Sequence, residues 1–252
     1  MREIPILFSG PLVRAILDDN KTQTRRLFTV PKAHASRGPN LSRLWYTTGS
    51  GQYPGGNPAF TGDQPPGALM RCDDGTCQRV PSPFGIPGDR LYVRESWAIH
   101  SMPFEGQGCG YVLEWAADKA TRDVAFDGRV CPTGSHPDPV LNFCIHHADK
   151  GGRPSIHMPR WASRLSLEVT GVRVERLQEI TEEGAYAEGV ADCDGMIDDA
   201  AVCAHAKAMG ACIDDARPSF AALWDSLYGA KPGCSWADSP WVWTVTFKRV
   251  EA

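Results

Sequence analysis

The sequence predicts a mixed α+β fold. Segments in which apolar and polar residues alternate indicate strands near both ends of the chain and in its middle, and apolar residues spaced three and four apart indicate helices between them. Two long stretches rich in proline and glycine, at about 31–83 and 100–154, interrupt these ordered segments. We therefore expect a single domain over 1–252 that carries two long, loop-rich insertions.

The first ordered segment is a strand followed by a helix. Ile4 to Phe8 has the composition of a strand, and Ser9-Gly10-Pro11 supplies a helix start because proline is favoured in the first helical turn. The helix then places four apolar residues on one face: Leu12, Val13, Ile16 and Leu17. Asp18-Asp19-Asn20 ends it, so the polar segment Lys21–Arg26 follows a packed, rigid element.

The segment Lys21–Arg26 reads Lys-Thr-Gln-Thr-Arg-Arg and combines three cations with two hydroxyls. An extended backbone would place Lys21 and Gln23 on one side and Thr24 and Arg26 on the other, whereas a turn would let Lys21 and Thr24 converge. One interpretation is a solvated loop whose arginines pair with surface carboxylates. The other is part of a binding or catalytic site.

The middle of the chain regains order after the first insertion. Pro87-Gly88-Asp89 predicts a tight turn, and Leu91 and Val93 begin an alternating strand. Arg94 and Glu95 lie late in this strand and suit the rim of a pocket, although ordinary surface charges on an edge strand fit the segment equally well.

The C-terminal third predicts one long strand, three helices and a closing strand. The long strand runs from Leu165 to Val174 with a bend at Gly171, and Thr181 is placed to cap the short helix that has Glu188 near its end. Helices are expected at about 198–209 and 218–228, and a strand starts at Trp241. The tryptophans at 224, 241 and 243 are interpreted as core residues.

Composition and charge limit the classes of function. The net charge of -4 argues against a protein that coats nucleic acid nonspecifically, although a local cationic groove remains compatible with it. No apolar run approaches 18 residues and the N-terminus lacks a secretory pattern, so we expect a cytoplasmic protein without a membrane partner. Nine cysteines in such a chain indicate reduced thiols rather than a disulfide framework.

Two sets of residues could bind a metal or a base. Cys72 and Cys77, spaced C-x4-C, together with Cys144 and His146 could supply four zinc ligands, but the spacing is unusual and free thiols with loop histidines are the preferred interpretation. The second set could form a base-binding pocket by stacking and edge contacts: Trp97, His157, Arg160 and Trp161. No other cofactor is expected.

Several segments together resemble the ASCH domain family of the PUA-like superfamily, especially its phage and prophage versions. The stretches that carry the resemblance are Ile6–Ser9 through Lys21–Arg26, Pro87–Glu95, Ser155–Arg160, Leu177–Glu183 with Glu188, and the final strand. They cover about half of the chain. The resemblance implies a small PUA-like β-barrel with flanking helices around a cleft that binds a nucleoside or nucleic acid.

The resemblance also implies a reaction. Some bacterial ASCH proteins are amidohydrolases that deacetylate N4-acetylcytidine with a lysine and a threonine of a K-T-x-T-x-R segment and a glutamate after the long strand. These correspond to Lys21, Thr24 and Glu188. For such a reaction, Arg26 and the possible pocket-rim residues Arg94 and Glu95 are our own candidates for substrate binding. Other members resemble ribonucleases or noncatalytic readers of modified bases, which are the alternatives. The oligomeric state is left open.

Overall fold

The computed structural model describes the backbone of residues 1–30, 39–47, 67–72, 77–104, 108–124, 139–192 and 197–251. In chain order the strands are β1 (Glu3–Leu7), β2 (Gln23–Leu27), β3 (Pro39–Thr47), β4 (Gly67–Cys72), β5 (Cys77–Pro81), β6 (Arg90–Arg94), β7 (Trp97–Phe104), β8 (Gly108–Trp115), β9 (Thr121–Val124), β10 (Ser166–Arg176) and β11 (Trp241–Val250). The α-helices are α1 (Gly10–Leu17), α2 (Pro139–His147), α3 (Glu182–Tyr186), α4 (Asp199–Met209) and α5 (Ala216–Tyr228). This composition confirms the predicted α+β class.

A five-stranded mixed sheet organises the fold in the order β1-β6-β10-β11-β2. β1 and β6 are parallel, and the other neighbours are antiparallel. The register of β10 against β11 shifts between Val169 and Gly171, which confirms the predicted bend because an extra residue on one strand locally increases its twist. The sheet therefore brings β2, near the N-terminus, beside the C-terminal strand.

Four of the described helices lie close to their predicted positions, whereas α2 lies in a stretch predicted to be loop-rich. α1 buries Leu12, Val13, Ala15 and Ile16, and its amphipathic face packs on the sheet. Thr181 caps α3 by accepting a hydrogen bond from the backbone N–H of Gly184. α5 starts two residues before the predicted Pro218, because Glu182 accepts hydrogen bonds from the free N–H groups of Ala216 and Arg217.

The description of the two insertions as loops is wrong for the residues that the structure describes. β3, β4 and β5 form an antiparallel sheet inside 31–83, and β7, β8 and β9 form another that occupies much of 100–154, followed by α2. The second sheet had a visible signal, since Leu113 and Trp115 are buried and alternate with Val112 and Glu114. Frequent proline and glycine around these strands masked that alternation.

Two hydrophobic clusters stabilise these layers. The larger cluster joins the five-stranded sheet to α1 and α5 and includes Trp224 and Trp243, which confirms that these tryptophans are core residues. The smaller cluster lies under β7 and β8 and contains Trp97, Cys144 and Met158. Among the described helices, none combines the length and apolarity needed to cross a membrane.

Candidate functional site

The structure brings Lys21 and Glu188 into direct contact, although they are 167 residues apart in the chain. Lys21 directly follows α1 and its backbone forms an isolated antiparallel bridge with Glu188, which lies just after α3. The Lys21 Nζ donates hydrogen bonds to Glu188 Oε2 at 2.7 Å and to the Glu188 backbone oxygen at 2.7 Å. This backbone bridge therefore fixes the positions from which both side chains of the pair extend.

This pair belongs to a longer row of alternating charges. Arg25 in β2 donates from Nη1 to Glu188 Oε1 at 3.1 Å and from Nε to Glu175 Oε1 at 2.9 Å. Arg173 donates to the other oxygen of Glu175 at 2.6 Å. The side chains of Lys21 and Arg25 are each only 1% exposed, so the row runs from solvent at Arg173 to a dry interior at Lys21.

Charge balance explains how the row tolerates burial. Taking an ion out of water is costly unless an opposite charge and hydrogen bonds replace the lost hydration. Burial alone would raise the pKa of Glu175, but the positive charge of Arg25 and the hydrogen bond from Arg173 outweigh it, so its pKa lies below the usual range. Each carboxylate in the row thus lies between two cations.

Two cations, Lys21 of this row and Arg26 beside it, flank the ring of Phe8. Lys21 Nζ lies 5.5 Å from the ring centroid of Phe8, and Arg26 Cζ lies 5.1 Å from it. Arg26 donates to the Leu7 carbonyl at 2.6 Å, while Arg94 pairs with Leu7 across the sheet and donates to the carbonyl of Ile156. Arg26 and Arg94 are therefore both anchored at the C-terminal ends of β1 and β6.

Thr24 lies in β2, where it pairs with Val245 and is 3% exposed. Strand alternation places its side chain on the same face as Arg26 and opposite to Arg25. Lys21 and Glu188 meet, and Thr24 lies three residues along the chain from Lys21.

Gly189 allows the backbone bridge to form. Its φ is +75°, and a Cβ there would lie 2.8 Å from Ala15 Cβ and 3.0 Å from Lys21 Cβ. Gly189→Ala is expected to cost about 2–4 kcal/mol of unfolding free energy, the sum of a left-handed backbone and an overpacked contact. Chemical denaturation measures it.

Gly210→Ala is the matched control for this prediction. Gly210 also has a positive φ, of +63°, but a Cβ there would meet nothing within 4 Å. The control should lose only about 1–2 kcal/mol, from the backbone alone. Equal losses in the two variants would show that the close approach to Ala15 and Lys21 carries no cost.

The other residues proposed to bind a substrate have protein partners. Glu95 is 1% exposed and accepts hydrogen bonds from Arg164 Nε and Nη2 at 2.9 Å and 3.0 Å, so it is a buried structural carboxylate rather than a group at a pocket rim. Arg160 pairs with Glu3 through two hydrogen bonds of 3.0 Å and 2.8 Å. His157 is exposed in a 3₁₀ turn.

The two tryptophans proposed to stack on a base pack on protein. Trp97 is 1% exposed and its ring lies 5.9 Å from Phe143 in a stacked arrangement, while Trp161 meets both rings edge-on. Both rings contribute to the packing of the smaller core, with Trp97 buried in it and Trp161 partly buried against it, so their role as a stacking surface for a base stays a prediction.

The zinc candidates are divided between described and undescribed side chains. Cys144 is buried in the smaller core, whereas His146, two residues later on α2, is exposed, and residues two apart on a helix do not face each other. The backbones of Cys72 and Cys77 belong to β4 and β5, but their side chains lie outside the described part of the chain. No cluster of three or more potential ligands occurs among the described residues.

Sequence reasoning missed Glu175 and Phe8, which complete the site. Arg25 was noted only as a cation near Lys21, yet it links the two carboxylates. Glu175 follows Val172 and Val174 in β10, but this strand also carries other charged residues, so only the strand register shows its partner.

Comparisons with protein-family models, with curated proteins and with solved structures give no match to this chain.

Proposed function

We propose that this protein is an ASCH-type amidohydrolase that removes the acyl group from an N4-acylated cytidine or a related modified pyrimidine nucleoside. The observation that carries the proposal is the dry pair of Lys21 and Glu188, held at 2.7 Å by segments from opposite ends of the chain. Buried ion pairs add little net stability, and titratable groups in such environments concentrate at functional sites.

The fold proposed with this function is a PUA-like β-barrel. In this proposal the five-stranded sheet forms the conserved part of the barrel, and the sheets of β3–β5 and β7–β9 are additions that extend the surface around the cleft. The backbone bridge between Lys21 and Glu188 supports the proposal because it joins the segment before β2 to the segment after α3 at one edge of this sheet.

The charges of the site allow a balanced sequence of proton transfers. Lys21 passes an ammonium proton to Glu188 along their 2.7 Å contact, and the neutral amine then takes the proton of Thr24 as its oxygen attacks the acyl carbon. The C–N4 bond breaks, and Glu188 returns its proton to the leaving amine. Water then hydrolyses the acyl ester on Thr24 and releases the acid.

The proposed reaction requires Thr24 and Lys21 to lie within hydrogen-bond reach of each other when the substrate is bound. Catalytic hydrogen bonds commonly tighten only in that state. Arg26 and Arg94, which are both anchored at the C-terminal ends of β1 and β6, are placed to attract a ribose phosphate or the carbonyl oxygen of the base. This arrangement is compatible with a nucleoside within a nucleic acid as well as with a free one.

A noncatalytic reader of a modified base is the second candidate. It is favoured by the contacts of Lys21, whose amine already donates to two oxygens of Glu188. In a reader these residues would hold the walls of the cleft in place rather than transfer protons.

Incubation of the purified protein with N4-acetylcytidine, free and within an oligonucleotide, followed by mass analysis tests the proposal. Lys21→Met and Thr24→Val are expected to lower the deacetylation rate by about 10²–10⁴-fold, the usual contribution of a positioned acid or base. Thr22→Val is the control because Thr22 is exposed in the same segment. Full activity of either site variant would refute its assigned role, and binding without turnover by the wild type would favour the reader.

A further inference from the structure

A cavity lies away from Lys21, between the start of β7, the end of β8 and the segment 151–154. Its volume is about 480 Å³, and its lining includes Trp97, His100, Glu114, Lys119 and Arg153. This volume is in the range of small-molecule sites. None of the residues of the charged row lines it, so the cavity is separate from the site of the proposed function.

Arg153 is the central polar group of this cavity. Its backbone is fixed by an antiparallel bridge to Trp97, with hydrogen bonds of 2.7 Å and 3.1 Å, and its guanidinium carbon lies 6.0 Å from the Trp97 ring centroid. Among the described residues the guanidinium has no carboxylate partner, and its Nε has no hydrogen bond. A partly buried, unpaired guanidinium beside a cavity is a preformed partner for an anion.

Two further nitrogens beside the same cavity have no hydrogen bond. Trp97 is 1% exposed, and its indole Nε1, a donor only, has no acceptor. His100 Nε2 also has none and lies 3.7 Å from Glu114 Oε2. Since buried polar groups in folded proteins nearly always have partners, unpaired nitrogens at one cavity indicate an acceptor that binds there.

The net charge of the lining favours an anion. Lys119 and Arg153 carry positive charges against the single carboxylate of Glu114, which Lys119 already contacts at 3.0 Å. Glu114 is therefore engaged on the side of Lys119, while Arg153 remains available. An anion with several acceptor oxygens could accept from the guanidinium and from the neighbouring donors at once.

We propose that this cavity binds a phosphate group, carried by a free phosphate compound or by the backbone of a nucleic acid. The terminal oxygens, three in a phosphate monoester and two in a backbone diester, suit the fork of Arg153 together with the donors of the lining, and Lys119 adds long-range attraction. The proposal does not depend on hydrolysis at Lys21, because its test measures binding alone.

Isothermal titration calorimetry at low salt, with inorganic phosphate, cytidine monophosphate and a single-stranded oligonucleotide, tests this proposal. Arg153→Gln is expected to weaken binding at least tenfold and Lys119→Gln several-fold, whereas Lys150→Gln, an exposed neighbour outside the cavity, should bind normally. Binding of the two small ligands identifies a free phosphate compound as the source. Binding of the oligonucleotide alone, weakened by Arg153→Gln, identifies a nucleic acid backbone.

Two results would overturn the site. The first is no binding of any of the three ligands by the wild-type protein, and the second is unchanged affinity in Arg153→Gln. Circular dichroism verifies that the variants fold. Lys119 keeps the test decisive if Arg153→Gln does not fold, because its side chain is 72% exposed and its replacement should leave the fold intact; unchanged affinity in Lys119→Gln would then count against the site.

Discussion

Replacing Glu188 by glutamine is expected to lower the free energy of unfolding by about 3–5 kcal/mol, the usual cost of removing one partner from a buried ion pair. Glu188 is the carboxylate between Lys21 and Arg25, whose side chains are each 1% exposed. The amide has nearly the same size, so the change removes charge without opening a cavity. Urea denaturation at neutral pH measures the loss.

Replacing Lys21, the other member of the pair, should lower the free energy of unfolding by a smaller amount. Lys21→Met leaves Glu188 in contact with Arg25 at 3.1 Å, so the remaining carboxylate still has a cation, and we expect a smaller loss than in Glu188→Gln. Glu168→Gln is the surface control, because Glu168 pairs with Lys248 at 3.3 Å on partly exposed side chains and should change stability by less than about 1 kcal/mol. A Glu188→Gln loss no larger than this control would contradict the buried row.

The parts of the fold that sequence predicted are those specified by local chemistry. α1 follows from Pro11 and a single apolar face, and the start of α3 follows from the hydroxyl of Thr181. β3 to β5 could not be found in this way, since a strand among prolines and glycines becomes stable only through the neighbours that complete its hydrogen bonds. The parallel pairing of β1 with β6 likewise depends on contacts distant in sequence.

The same distinction between local sequence signals and contacts distant in sequence applies to the candidate site. Lys21, Thr24 and Glu188 were selected through the family resemblance, because nothing local relates a lysine to a glutamate 167 residues away. The pairing of Arg25 with Glu175 depends on the strand register. Arg25 of β2 lies opposite Thr244 of β11, and Thr244 lies opposite Arg173 of β10, which is two residues from Glu175. The burial of Glu95 and Trp97 could not be predicted, because a charged or aromatic residue at a strand end looks the same in sequence whether it faces a pocket or the core.

Arg164→Met is expected to be the second strongly destabilising change, again by about 3–5 kcal/mol near neutral pH. Arg164 holds both oxygens of Glu95, which is 1% exposed, and also donates to both oxygens of Asp118 at 2.8 Å and 2.9 Å. Methionine keeps most of the apolar length that packs near Trp115 but leaves the Glu95 carboxylate without its cation. Denaturation of both proteins at pH 7 gives the difference.

The pH dependence of the stability loss in Arg164→Met shows whether it comes from an unpaired buried carboxylate or from lost packing. Burial raises the pKa of Glu95, and the hydrogen bonds and charge of Arg164 only partly oppose it. A carboxyl whose pKa is raised by folding binds its proton more readily in the folded state, so its contribution to stability falls as pH rises from the ordinary glutamate value of about 4.3 upward. Losing Arg164 raises that pKa further.

The deficit of Arg164→Met relative to the wild type should therefore be smaller at pH 5 than at pH 7, because Glu95 can become neutral in the variant. Adding Glu95→Gln to Arg164→Met removes the titrating group, so the double variant should be more stable than the single variant at pH 7 and should lose this pH dependence. An equal deficit at both pH values, together with no gain in the double variant, would assign the loss to packing against Trp115 rather than to the charge of Glu95.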